Sequence, residues 1–202
     1  MMKLYDFEHS GNCHKIRMML AFLNIEYERV DINLLKKDQL NPDFVEINPL
    51  HKVPVLDDDG VILRDSAAIL IYLSRKYGKA DWYPDNPLAM AEIQQWLSFS
   101  VNEVFNGLAI SRAIIIFKRD MDLEGPRKIA KDALDVMEHR LKDHDWLALD
   151  RFTIADLACY PYTALIHEGE LSLDAYPAIR AWFKRVEAMP NCPPMRGLPF
   201  PG

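Results

Sequence analysis

Cysteine is scarce in this 202-residue chain, which has only Cys13, Cys159 and Cys192. An odd number at wide spacing does not build a disulfide framework and is typical of a protein from a reducing compartment. The residues that follow Met1 carry no apolar stretch resembling a signal peptide. The sequence therefore predicts a cytoplasmic protein.

Clustered positive charge and long apolar runs are also lacking. There are 24 Lys and Arg residues against 30 Asp and Glu, and no basic block is interleaved with aromatics, so we expect no nucleic-acid partner. The apolar run 113–117 is too short to span a membrane, and we expect no membrane partner. The six histidines show no metal-ligand spacing, which predicts no metal.

Half of the residues are hydrophobic, enough for a sizeable core. In the first third, segments with strand-like alternation are interspersed with segments of helical periodicity. A helix capped by Ser66 closes this part. The predicted order is βαβαββα, with strands at 4–7, 27–32, 53–57 and 61–63 and helices at 14–24, 42–47 and from 66 to about 77.

The rest of the sequence is helical in pattern. Residues 79–88, with Pro84 and Pro87, read as a linker. Thr153 and Asp156 have the spacing of a helix capping box. We expect a first domain at 1–78 and an all-helical second domain at 89–202 that ends in an extended, proline-rich tail. Its helices are predicted at 89–118, 125–143, 153–168 and 175–189.

Two short motifs suggest a binding site. Pro54 cannot donate to a strand ladder, so Val53-Pro54 favours a bend at a strand start and is compatible with a cis peptide bond. Such a bend leaves the Val53 backbone free to pair with an extended peptide. Asp65 and Ser66, at the turn that opens a helix, suit the charged end of an amino acid.

Together these features resemble the glutathione transferase family over nearly the whole chain. The order of elements, the Val53-Pro54 bend, the acid-serine pair Asp65-Ser66 and the motif from Thr153 to Asp156 carry the resemblance. It implies a thioredoxin-like amino-terminal domain, an all-α second domain, glutathione as co-substrate, a homodimer and a role in detoxification. The expected reaction joins glutathione to an electrophilic small molecule.

The resemblance also implies a glutathione subsite. Asp65 would pair with the ligand's ammonium group, the N–H groups near Ser66 with the adjacent carboxylate, and Lys52 with the glycyl carboxylate. The Val53 backbone would bind the cysteinyl unit. Positions similar to bacterial members add two further candidates, Gln39 and His51.

The loop 8–17 is the predicted catalytic segment. A free thiol has a pKa near 8.5, and lowering it by about two units requires about 2.7 kcal/mol of thiolate stabilisation. A helix dipole contributes about 0.3–1 kcal/mol, so further donors are needed. Ser10 and Asn12 are the candidates, in a loop that resembles serine-type and, more closely, Nu-like bacterial members. Cys13 is better explained as a small buried residue than as a redox partner.

The acceptor and the reaction class are less determined by the sequence. Asn102, Asn106 and Arg112 are candidates for the acceptor site, and Arg112 could meet an anionic substrate. One alternative is a Nu-like reductase that acts on a small disulfide through two bound thiols. Another is a non-catalytic module that holds a ligand or dimerises.

Overall fold

The structure is a computed structural model that describes residues 1–78 and 81–197. Its first part is a four-stranded sheet with the spatial order β2-β1-β3-β4. β1 pairs in parallel with β2 and antiparallel with β3, and β3 forms an antiparallel hairpin with β4. The strands are β1 Lys3–Asp6, β2 Glu28–Asp31, β3 Val55–Asp58 and β4 Val61–Arg64.

The helices of this part complete the predicted βαβαββα order and make it thioredoxin-like. Three local predictions are corrected. α1 begins three residues early because Ser10 caps it, and β3 begins at Val55, after Pro54. Asp65, rather than Ser66, is the N-cap of α3. The helices are α1 Gly11–Phe22, α2 Pro42–Ile47 and α3 Ser66–Lys76, with a 3₁₀ turn at Asp38–Leu40.

The second part is all-helical, as predicted. Its first helical run is continuous but changes its winding in the middle, where ten residues form a π-helix. The elements are α4 Pro87–Phe99, the π-helix Ser100–Ala109, α5 Ile110–Ile116, α6 Glu124–Leu141, α7 Ile154–Ala164, a 3₁₀ turn Ile166–Gly169 and α8 Pro177–Glu187.

The run Pro87–Ile116 is long and apolar enough, by length and composition alone, to cross a membrane. The sequence analysis predicted a helix of nearly this length, at 89–118, but compared only its apolar segment 113–117 with the length of a membrane span. In the structure this run packs against α6 and α7, as a core helix does.

α7 lies at the centre of the molecule. All of its residues are buried, and it contacts α1, α3, α4 and the π-helix. The predicted capping box is present: the Thr153 hydroxyl accepts from the Ala155 N–H, and Asp156 accepts from the Thr153 N–H at 2.9 Å. In the tail Met195 is buried, and residues 198–202 of the predicted arm lie outside the described residues.

Candidate functional site

A cavity of about 370 Å³ lies where loops of the sheet domain face the helical part. It gathers six of the candidates predicted from the sequence for catalysis and glutathione binding, and Arg112. The sheet domain contributes Phe7, His9, Ser10, Asn12, Leu34, Gln39, His51, Lys52 and Val53; the helical part contributes Phe105, Ala109, Ile110, Arg112, Ala113, Phe117, Arg119 and Tyr162.

Ser10 sits at the amino end of α1, where its Oγ accepts a hydrogen bond from the Cys13 backbone N–H at 3.2 Å. This bond caps the helix and uses Oγ only as an acceptor, so it does not engage the hydroxyl proton. Ser10 is half-buried and lines the cavity. A hydroxyl so placed can stabilise an anion at the positive end of α1.

The cysteines of the protein are poor candidates for the reacting thiol. All three are free. Cys13 is fully buried, and this burial raises the pKa of its thiol to about 12. Burial also raises the pKa of Cys159, and raises that of Cys192 to about 11. Each stays protonated near neutral pH, so a thiolate here must come from a ligand.

Asn12 and Ser66 connect the predicted catalytic loop, 8–17, to the start of α3. The buried Ser66 hydroxyl donates to Asn12 Oδ1 at 3.4 Å. Ser66 therefore lies beside the loop although it does not line the cavity itself. This bond brings the two predicted subsites, for the sulfur and for the γ-glutamyl end, next to each other.

Asp65 caps α3 through a single carboxylate oxygen. Its Oδ1 accepts from the N–H groups of Ala67 at 2.9 Å and Ala68 at 3.1 Å, while Oδ2 has no hydrogen bond within the described part of the chain. Its backbone φ of 72° is unusual for a residue with a side chain, and such conformations cluster at functional sites. The exposed carboxylate can still meet an ammonium group from solution.

The loop before Pro54 is shaped by Asn48, which the sequence analysis did not single out. Its buried side-chain amide donates to the Lys52 carbonyl at 2.6 Å and accepts from the Leu50 N–H at 3.1 Å. The only sequence signal for this role is an asparagine that opens the segment before the proline bend. Asn48 holds the backbone that carries Lys52 and His51.

The remaining predicted glutathione ligands follow on this loop and beside it. His51 contacts the Gln39 carbonyl through Nδ1 at 3.3 Å, and the buried side-chain oxygen of Gln39 has no partner among the described residues. The Val53–Pro54 peptide bond is cis, as the bend allowed. Val53 lies just before β3, so the strand ladder does not use its backbone groups.

Tyr162 is a cavity residue that sequence reasoning missed. It comes from the buried helix α7, and its ring lies against Gly11, where an added Cβ would be 2.7 Å from Cε1. Burial raises the pKa of its hydroxyl, while the Arg112 charge and hydrogen bonding with Asn12 and Ser10 act in the opposite direction. No sequence signal separates it from the other aromatics of the core.

Of the three predicted acceptor residues, the structure brings only Arg112 into this cavity. Asn102 and Asn106 are one turn apart, joined by a 3.1 Å hydrogen bond, and line other cavities along the π-helix. The physical reason is helical phase: Arg112 lies six residues beyond Asn106 and falls on another face of the helix.

A cis-proline loop facing a serine-capped helix, on a mixed four-stranded sheet, defines a thioredoxin-like protein. Among the described residues, no three His, Cys, Asp or Glu side chains are grouped as a metal site would need. The cavity is lined by hydrogen-bond donors such as Ser10 and by cations such as Lys52 and Arg112.

Comparison with known proteins gives the family. Residues 4–81 match the model for the glutathione S-transferase amino-terminal domain, and residues 109–190 match the carboxy-terminal domain. Glutathione S-transferase D7 of Anopheles gambiae is 33% identical over 90% of this chain and 84% of its own length. This protein belongs to the glutathione S-transferase family and is an enzyme of that family.

Solved structures agree closely with the fold. A glutathione S-transferase from Pseudomonas fluorescens is 34% identical and superposes with a TM-score of 0.89 over 96% of this chain and 98% of its own. A glutathione transferase homologue from Drosophila mojavensis, solved with bound glutathione, is 29% identical with a TM-score of 0.85 over 94% of this chain and 88% of its own.

Proposed function

We propose that this protein binds reduced glutathione in the 370 Å³ cavity and transfers its sulfur to an electrophilic small molecule. The observation that carries the proposal is the convergence of Ser10, Asn12, Gln39, Lys52 and Val53 on one cavity. His51 lines it as well, and Ser66 joins it through its bond to Asn12.

The tripeptide is held from both ends. Asp65 Oδ2 pairs with the γ-glutamyl ammonium, and the Ser66 backbone N–H, at the first turn of α3, meets the adjacent carboxylate. At the other end Lys52 binds the glycyl carboxylate, with His51 and Gln39 beside it. The free backbone of Val53 pairs with the cysteinyl unit and sets the position of the sulfur.

Ser10 and Asn12 then stabilise the thiolate. A hydrogen bond to a charged group contributes about 1.5–3 kcal/mol, and the amino end of α1 adds about 0.3–1 kcal/mol. Together these reach the roughly 2.7 kcal/mol that a shift of two pKa units needs. The thiolate attacks the electrophilic carbon, a carbon–sulfur bond forms, and the leaving group departs with its electron pair. The thiol proton is released to solvent.

Disulfide reduction is the competing reaction. Because Cys13 is buried and protonated, disulfide reduction would have to use two glutathione molecules rather than a protein thiol. Turnover of an aromatic halide and of a small disulfide should be compared in the wild type and in a variant lacking all three cysteines. Faster halide turnover supports conjugation. Faster disulfide turnover that survives loss of the cysteines contradicts it.

Binding itself is tested by calorimetry. Asp65→Asn keeps a capping oxygen for α3 but loses the charge, so glutathione affinity should fall about tenfold or more. The matched control is Asp174→Asn, an exposed aspartate in the helical part. No binding of glutathione at millimolar concentration by the wild type would favour a non-catalytic module.

We propose further that the enzyme is a homodimer. Two cavities of about 510 and 500 Å³ lie side by side along α4, the π-helix and α6. Apolar side chains that line the second of them are exposed, including Ile129 at 38% and Val136 at 50%. Exposed apolar patches of this kind mark interaction surfaces. This surface, which we call the α4–α6 face, includes Asn102 and Asn106.

The domain division 1–78, 79–88 and 89–202, a cytoplasmic location and a detoxifying role complete the proposal. Three free cysteines with protonated thiols are compatible with a reducing compartment. The family models match residues 4–81 and 109–190, and these ranges do not mark the bounds of the linker. Limited proteolysis tests the linker assignment. Cleavage confined to 79–88 would support it.

A further inference from the structure

We propose that the acceptor substrate of this transferase is a carboxylate-bearing aromatic electrophile, recognised by Arg112 and Arg119. This inference rests on the proposed function, because it concerns the part of the same cavity that glutathione does not occupy. Three observations support it: the charge of the cavity wall, an unpartnered arginine nitrogen, and the apolar side chains around it.

The cavity is cationic although the chain is acidic overall. Lys52, Arg112 and Arg119 line it, and among the described residues no aspartate or glutamate does. The net charge of the protein is −6. His9 adds no charge near neutral pH, because burial and the Arg196 and Arg112 charges lower its pKa. A wall of one sign raises the local concentration of anionic substrates.

These cations divide between two substrates. Lys52 lies on the sheet side of the cavity and is assigned to the glycyl carboxylate of glutathione. Arg112 and Arg119 lie on the opposite, helical side, on and just after α5. The two carboxylates of glutathione are already met by Lys52 and by the start of α3. Arg119 and the donors of Arg112 that its own contacts leave unused are therefore available for a different anion.

Arg112 has a donor without an acceptor. It is only 4% exposed; its Nε pairs with Glu168 and its Nη1 donates to the His9 carbonyl at 2.9 Å. Its buried Nη2 has no partner among the described residues. Leaving a buried charged donor unpaired is unfavourable, and a ligand carboxylate would satisfy it. Glu168 offsets part of the charge but does not line the cavity.

The surroundings select an aromatic or otherwise apolar body for this anion. Phe105, Ile110 and Phe117 line the same side of the cavity as the two arginines. The Arg119 guanidinium lies 5.6 Å from the Phe117 ring centroid, so the cation is held over an aromatic face at the exposed rim. A ring packed on these side chains presents a carboxylate to the arginines and its electrophilic carbon to the sulfur.

The test uses two product analogues of equal size, S-(para-carboxybenzyl)glutathione and S-(para-carbamoylbenzyl)glutathione, with S-benzylglutathione as parent. Calorimetry on the intact protein should show the carboxylate bound about tenfold or more tightly than the carboxamide, as one charge-assisted hydrogen bond allows. Arg119→Gln should reduce that preference about threefold or more. The matched control, Lys118→Gln, removes a neighbouring exposed charge that does not line the cavity and should preserve it.

Arg112→Lys keeps the charge but loses the planar donor fork, so it should also reduce the preference. Because Arg112 donates to the His9 carbonyl, its substitution could also disturb folding. The substitution of the exposed Arg119 therefore gives a readout that does not depend on folding. The enzyme should also turn over a chloronitrobenzoate faster than the corresponding carboxamide, and both arginine substitutions should reduce this difference. Equal binding of the carboxylate and carboxamide probes, or a preference for the carboxylate that is unchanged in both arginine variants, overturns this inference and leaves the proposed glutathione site standing. Failure of S-benzylglutathione to bind overturns the proposed glutathione site as well.

Discussion

At the scale of single residues, Gly11 lets the predicted catalytic loop and the helical part approach each other. A Cβ at this position would lie 2.7 Å from Tyr162 Cε1 and 2.9 Å from Cδ1, and the Tyr162 side chain is buried. We predict that Gly11→Ala lowers the free energy of unfolding by about 1–3 kcal/mol through overpacking. It should also lower turnover, because Ser10 is the adjacent residue.

The control for this substitution is Gly125→Ala, in the first turn of α6. There an added Cβ meets only the exposed Asp122 side chain, at 3.1 Å. Denaturant unfolding should show a change within about 0.5 kcal/mol. Equal stability of the two variants would contradict the packing argument.

Lys15 makes the stability of the protein depend on pH. It is buried, its Nζ donates to Ser100 Oγ at 2.9 Å, and burial lowers its pKa from 10.5 to about 8, against smaller opposing effects of Cys159 and Asp65. Between about pH 8 and 10.5 the folded protein has lost this proton while the unfolded chain keeps it. The free energy of unfolding attributable to Lys15 therefore rises with pH across this window.

We predict that Lys15→Met stabilises the protein at pH 7 by roughly 3 kcal/mol and that this advantage disappears as the pH approaches 10.5. The measurement is the difference in unfolding free energy between wild type and variant at several pH values, which cancels other titrating groups. A difference that does not vary with pH would show that Lys15 keeps its ordinary pKa in the folded state.

At the scale of secondary-structure elements, Asp156 fixes the start of α7. Its carboxylate accepts from the N–H groups of Thr153 at 2.9 Å and Leu147 at 3.1 Å, and from the Trp182 indole at 3.0 Å. Asp156→Ala leaves buried donors unpaired, so we predict a loss of at least about 3 kcal/mol of unfolding free energy.

The control is Asp174→Ala, at an exposed position, which should change unfolding free energy by less than about 0.5 kcal/mol. Chemical denaturation followed by circular dichroism measures both variants. A loss at Asp156 no larger than that at Asp174 would mean that the capping box does not hold α7.

Local patterns in the sequence predicted the elements well, and their failures have physical causes. The Thr153–Asp156 box and the Val53-Pro54 bend depend on neighbouring residues and could be read directly. The start of α1 was placed late because Ser10 was considered for chemistry rather than as a cap. The sequence could not predict which face of the helix carries Asn102. The π-helix has a different number of residues per turn from an α-helix, so α-helical periodicity assigns its faces wrongly.

At the scale of the whole molecule, the cavity joins segments that are far apart in the chain. Arg112 donates to the His9 carbonyl, and Tyr162 contacts Gly11. These contacts depend on how α7 and α5 pack against the sheet domain. Sequence patterns carry no information on such distances, so Tyr162 was missed. Asn48 was missed for another reason: its contacts, with Leu50 and Lys52, are local, but an asparagine before a proline gives no specific signal for them. The glutathione candidates were proposed from the order and spacing of the motifs.

Assembly belongs to the same scale. If the α4–α6 face is the dimer interface, Val136→Asp should shift the protein toward monomer in light scattering, because it would bury a charge without a partner. Met121→Asp changes a comparably exposed residue, 54% against 50%, that does not line this face. It should leave the mass unchanged. A wild type that is monomeric at micromolar concentration would contradict the assignment.

The central claim is that Ser10 and Asn12 stabilise the thiolate of bound glutathione. The most direct measurement is the ultraviolet absorbance of that thiolate as a function of pH in the wild type, Ser10→Ala and Asn12→Ala complexes. The account predicts that the pKa of the glutathione thiol in the wild-type complex lies about two units below its value in free glutathione. In the Ser10→Ala complex this pKa should be about one to two units higher than in the wild-type complex. The same thiol pKa in all three complexes would contradict it.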